Sequence, residues 1–110
     1  MATRSSSSKW PQDTREAMTA LARLFPSLRA ADGIDPWDAT RLIDWLNGPA
    51  VDASAAWAGR FVLDVWHQGT DWNEFGLKGA GRFELLAAIG RWDREHVEAL
   101  QTWIDSPFWP

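Results

Sequence analysis

The chain has 110 residues, among them nine tryptophans, and carries a formal charge of −4 from 15 acidic and 11 basic side chains. That length suits a single domain with its own core. The absence of cysteine and tyrosine removes disulfides, thiolate nucleophiles and cysteine-held zinc or iron–sulfur clusters from the possible chemistry.

Residues 1–10 open with MATRSSSSK, too polar to offset the entropy of ordering, and read as a mobile tail. Residues 11–110 then form one helical domain. The first helix is expected over Gln12–Phe25. Asp13 caps it, with Glu16 three residues on. Ala17, Met18, Leu21, Leu24 and Phe25 recur on one face, and Pro26 ends the pattern. After a loop in which Gly33 permits a left-handed turn, Asp35 as N-cap and Pro36 at the first helical position signal a second helix. Its core face carries Ala39, Leu42, Ile43 and Leu46, with Trp45 on the flank. Trp37 points roughly the opposite way, so it packs on a neighbour or is partly exposed. Asn47-Gly48-Pro49 is the stop.

The third helix, about 52–68, is apolar over most of its circumference. Only Arg60, Asp64 and His67, continued by Ala53 and Ala56, make a narrow polar stripe, so it is expected to be central and covered on several sides. A glycine-rich connection over Thr70–Gly81 holds Trp72 and Phe75. A fourth helix is expected over Ala80–Gly90, with Phe83, Leu86, Ala87 and Ile89 inward. A fifth starts at the Asp93 cap and turns His96, Val97, Leu100, Trp103 and Ile104 toward the core. Phe108 and Trp109 then tie the end of the chain to the body. No alternating β-branched run occurs, so the expected fold class is all-α, a single bundle of four to five helices.

Two D-x-x-H pairs, Asp64/His67 and Asp93/His96, are the sharpest chemical pattern. An acid and a histidine three apart share a helix face, as in carboxylate-bridged metal bundles. Asp64, His67, Asp93 and His96 are therefore the metal or acid–base candidates. The plainer account is solvation for the first pair, and for His96 a core histidine bonded to the Asp93 cap. Nucleophilic catalysis lacks a motif: there is no G-x-S-x-G elbow, and no serine lies near a histidine in sequence. The glycines at 76, 79 and 81 do not follow a strand, which argues against a phosphate loop.

The tryptophans divide by helical face. Trp57, Trp66, Trp92 and Trp103 lie on apolar arcs and read as core. Trp10, Trp37, Trp72 and Trp109 fall in loops, termini or outward positions; with Phe75, the residues Trp37, Trp72 and Trp109 are the candidate partner-binding residues, since tryptophan is enriched at interface hot spots.

The reading that follows is a non-enzymatic protein–protein interaction or regulatory module that binds a protein partner or itself, with no cofactor. The alternative is a small-molecule- or metal-binding bundle using the D-x-x-H pairs. Arginines spread over five helices, with a negative total, argue against nucleic acid. No apolar run approaches the roughly 18–20 residues of a membrane span, and the N-terminus lacks a secretory apolar stretch. The expected location is the cytoplasm, with no membrane partner. Nine arginines to two lysines, with 16 alanines, point to a GC-rich, bacterial genome.

Overall fold

The computed structural model describes residues 9–49, 51–79 and 81–110. Among these the fold is all-helical and unites five α-helices: α1 (Thr14–Leu24), α2 (Ala39–Leu46), α3 (Ala53–Trp66), α4 (Leu85–Ile89) and α5 (Arg94–Asp105). Short 3₁₀ turns lie at Pro26–Leu28 and Trp72–Phe75.

Side-chain caps start the long helices. Asp13, Asp38, Asp52 and Asp93 each accept a hydrogen bond from the backbone N–H three residues on, satisfying a donor that has no partner within the helix. Helix α3 is central, as its wide apolar arc requires. It packs against α1, α2, α4 and the Pro26–Leu28 turn. Gly59 sits in its interior because the Leu46 side chain of α2 fills the space a Cβ would need. Phe25, which ends α1, is fully buried. Its ring lies 5.6 Å from Phe61 and 5.4 Å from Trp92. Phe61 in turn meets Phe83 at 5.3 Å and Trp103 at 5.5 Å. One aromatic cluster thus joins α1, α3, α5 and the chain before α4.

The second helix begins later than its sequence signals indicate. Asp38, not Asp35, is the N-cap. The Asp35–Pro36 peptide is cis, and the Asp38 N–H closes a turn on the Gly33 carbonyl at 2.7 Å. Inside that turn Ile34 and Trp37 pair in a single bridge, and both are buried. Trp37, expected to point outward from a helix, is 1% exposed because it lies in this turn. Asp35 pairs instead with the Arg23 guanidinium of α1. Gly33 has φ 87°, and a Cβ there would strike the Leu42 nitrogen and Asp38 oxygen.

The fourth helix is also shorter than expected. Ala80 lies outside the described residues. Gly81 is buried, with the Asp71 and Asn73 side chains against it, and its carbonyl accepts from the Trp72 N–H at 2.8 Å. That tie holds the segment as loop until Leu85. Phe83 is inward and half-buried, but Leu86 is 84% exposed and Ile89 is also exposed; Ala88 is the buried residue. On α5, His96, Leu100 and Trp103 are buried as expected, while Ile104 is exposed.

The two ends of the described chain clasp each other. Trp10, grouped by composition with the tail, is buried: its indole N–H donates to the Ser106 carbonyl at 2.6 Å, and its ring lies 5.0 Å from Phe108. Residues 1–8, the rest of the expected tail, lie outside the described residues.

Phe25→Ala is expected to cost about 3–5 kcal/mol, the range for emptying a buried aromatic site. Gly33→Ala is expected to cost at least about 1–2 kcal/mol, from the left-handed backbone alone, with the backbone clash added. Urea unfolding of each variant checks both values.

Candidate functional site

The C-terminal end of α3 is where the cover over the central helix runs out. Trp66 is half-buried and His67, the capping residue, is exposed. Around them opens a cleft of about 300 Å³, lined by Ala39, Thr40 and Ile43 of α2, Trp66, His67, Thr70, Trp72 and Phe75. A second hollow, of about 200 Å³, shares Trp66 and His67 and is lined also by Trp109 and Pro110.

This arrangement gathers the four candidate aromatics around one indole, in different roles. Trp37 packs on Trp66 at 5.6 Å from the core side and offers no surface. Trp72 is 5% exposed and stands in the cleft wall. Phe75, 63% exposed, lies 5.6 Å from Trp72. Trp109, 58% exposed, sets its ring edge-on to Trp103 at 5.0 Å. The exposed pair, Phe75 and Trp109, therefore lie on the two hollows that share Trp66 and His67. The polar groups of the cleft are few: His67 Nδ1 and Thr70 Oγ1 are hydrogen-bonded at 2.8 Å. A concave, mostly apolar hollow with one or two polar groups suits a bound side chain or small ligand.

A larger hollow of about 430 Å³ between α1 and the Asp35–Trp37 turn is lined by Arg15, Glu16, Arg23 and Asp35. The pairing of Arg23 with Asp35 already uses two of its charges, which leaves less there for a partner.

The two D-x-x-H pairs stand in different surroundings. His67 belongs to the aromatic cleft, whereas His96 is buried among Phe25, Trp92 and Ser27. Among the described residues no group of three or more His, Asp or Glu is placed to hold a metal. Asp64 is half-buried, and burial pushes its carboxyl above the usual range, with the Trp72 indole N–H and Arg82 acting in the opposite direction. Asp64 Oδ1 and Trp72 Nε1 are both buried without a hydrogen bond of normal geometry, so the indole N–H acts on the carboxylate only as a loose electrostatic contact. Arg60 departs from the wet stripe expected of it. It is 8% exposed, with its guanidinium 5.2 Å over the Trp57 ring and donating to the Lys78 carbonyl at 3.2 Å.

The second pair joins a contact that sequence spacing concealed. His96 Nδ1 lies 2.7 Å from Asp93 Oδ1, and His96 Nε2 lies 2.7 Å from Ser27 Oγ, 69 residues away in sequence. Asp93 also accepts the His96 backbone N–H at 3.0 Å. The His96 side chain and then its backbone N–H hold the Asp93 carboxyl below its usual value. An ionised carboxylate only accepts, so Nδ1 carries the proton; in the neutral imidazole Nε2 is then the lone-pair side and Ser27 donates to it. The only sequence hint was Pro26, which marks the turn that presents Ser27.

No protein-family model matches the chain, and no curated protein or solved structure is significantly similar to it.

The two aspartates oppose each other in pH dependence. The depressed Asp93 contributes stability that is present above its unfolded value and is lost as pH falls through the folded one. The raised Asp64 carries a penalty at neutral pH that disappears as pH falls. Asp93→Asn is therefore expected to lie below the native chain at pH 7 and to converge with it in acid. Asp64→Asn is expected to lie level with or above the native chain at pH 7, and to lose any advantage in acid. Urea midpoints measured from pH 7 to about pH 3 check both signs.

Proposed function

We propose that this chain is a protein–protein interaction module whose contact face is the aromatic surface around Trp66 and His67. The carrying observation is that the large exposed aromatics Phe75 and Trp109 lie on two hollows sharing those residues. Leaving such rings in water forgoes roughly 1.5–3 kcal/mol each relative to full burial, a gain that docking recovers. The partner is a protein segment, from a second copy or another chain, that inserts an apolar side chain beside Ile43 and Trp72. Thr70 and His67 then orient a polar atom next to it. The face acts by binding, with no cofactor, since its lining offers one histidine and no carboxylate.

The same cleft supports a second reading, a small apolar ligand, because its volume suits one ring system. Of the four metal or acid–base candidates, only His67 lines it, so this reading does not use the D-x-x-H pairs as a unit.

Phe75→Ser with Trp109→Ser is expected to leave stability within about 1 kcal/mol, as for substitutions at exposed positions, and to abolish association. Sedimentation equilibrium reads self-association. A photo-crosslinking residue at position 75, used in the host, reads a different partner. A native chain that is monomeric at high concentration and forms no crosslink sensitive to Trp109→Ser overturns the proposal. A rise in Tm with small aromatic ligands in that case favours the second reading.

A further inference from the structure

Ser27, His96 and Asp93 form a continuous hydrogen-bonded row, and its order has a chemical direction. Ser27 Oγ lies 2.7 Å from Nε2 and Nδ1 lies 2.7 Å from Asp93 Oδ1; in the neutral ring the carboxylate accepts from Nδ1 and the hydroxyl donates to Nε2. The carboxylate fixes Nδ1–H, and in the neutral ring that is the tautomer whose Nε2 can take a proton from the hydroxyl. Nucleophile, base and orienting acid in that sequence are what hydroxyl activation requires, whatever the fold.

The base is also held still. The His96 ring is 3% exposed and lies 6.0 Å from the rings of both Phe25 and Trp92. Its backbone N–H is bound by the same carboxylate. Ser27 follows a proline and precedes the fully buried Leu28, so the turn is anchored on both sides. Ser27 itself is only half-buried, and Asp93 is exposed. The row therefore runs from the edge of the core through a buried base and back to water.

We propose that Ser27 is an activated nucleophile, with His96 as its base and Asp93 as a positioning residue, and that it accepts the acyl group of a small, unhindered carboxylic ester. Ser27 Oγ forms a bond to the carbonyl carbon while its proton passes to His96 Nε2. The bond from that carbon to the alcohol oxygen breaks, and the departing alcohol takes the proton from His96. The products are acyl-Ser27 and the free alcohol, with no oxidant, reductant or metal in the balance. Small size is required because Ser27 is half-buried and its base is packed between the rings of Phe25 and Trp92. The site uses no residue of the aromatic cleft, so it goes beyond the binding role and stands or falls separately from it.

The test exposes the full chain to p-nitrophenyl acetate and, separately, to a fluorophosphonate, which transfers phosphorus to the serine oxygen with loss of fluoride. Intact mass and peptide mapping locate the adduct. The expected result is one adduct, on Ser27, absent from Ser27→Ala. His96→Gln is expected to slow its formation on the order of a hundredfold. Asp93→Asn keeps a good N-cap and is expected to slow it about tenfold or more. Circular dichroism confirms each fold, and if His96→Gln does not fold, Asp93→Asn decides alone. No adduct on Ser27 in the folded chain, or an unchanged rate in the folded variants, overturns the proposal. A purely structural tether gives lower Tm values in the variants and no adduct, which overturns it too.

Discussion

Helix α3 has almost no side that can face water, and the other elements are arranged by the need to cover it. Of its residues, Ala55, Ala58, Phe61, Val62, Leu63 and Val65 are buried. Such a helix gains little from its own hydrogen bonds and most from the apolar area its neighbours remove from water, at roughly 25 cal/mol per Å². Helices α1 and α2 and the Pro26–Leu28 turn provide much of that cover. Gly59 lets Leu46 come close, and Phe25 and Phe83 close over Phe61. The cover ends at Trp66, and the aromatic cleft opens there.

The same economy explains which polar groups are inside. Thr19 donates to the Ile34 carbonyl, Arg60 reaches the Lys78 carbonyl, and His96 is bonded at both ring nitrogens. A buried polar group left unpaired costs about 1–3 kcal/mol. Trp37 and Trp103 leave their indole N–H without a partner, and the balance still favours burial. An indole buries on the order of 200 Å², worth about 5 kcal/mol at the same coefficient. Area outweighs one lost hydrogen bond, so indoles in turns and at helix ends are drawn inward unless the core is already full. Trp109 meets that limit: Trp103 occupies the space beneath it, and it can add only an edge-on contact.

Much of the candidate site was legible only as a set of residue types. Trp37, Trp72, Phe75 and Trp109 stood out because none fitted a helical core face. Their division into two buried and two exposed rings was not legible, since it depends on the Gly33–Asp38 turn and on the Trp72–Gly81 tie. Those are tertiary choices between two plausible caps and between loop and helix. Leu86 is uncovered for a related reason: with the chain before Leu85 held as loop, the short Leu85–Ile89 helix turns Ala88 rather than Leu86 inward. Ser27 was missed for a simpler reason: 69 residues separate it from its histidine, and no local pattern records such a pair.

The sequence by itself determined the all-α class, the central place of α3 and the aspartate caps at 13 and 93. Each follows from periodicity or from a local hydrogen bond within four residues, and local energies of that kind act before any distant contact forms. Only the tertiary structure decided which tryptophans face water, that Arg60 lies over Trp57 inside the fold, and that Ser27 meets His96. Those outcomes depend on how surfaces far apart in the chain compete for the same apolar cover, and no stretch of sequence contains that competition.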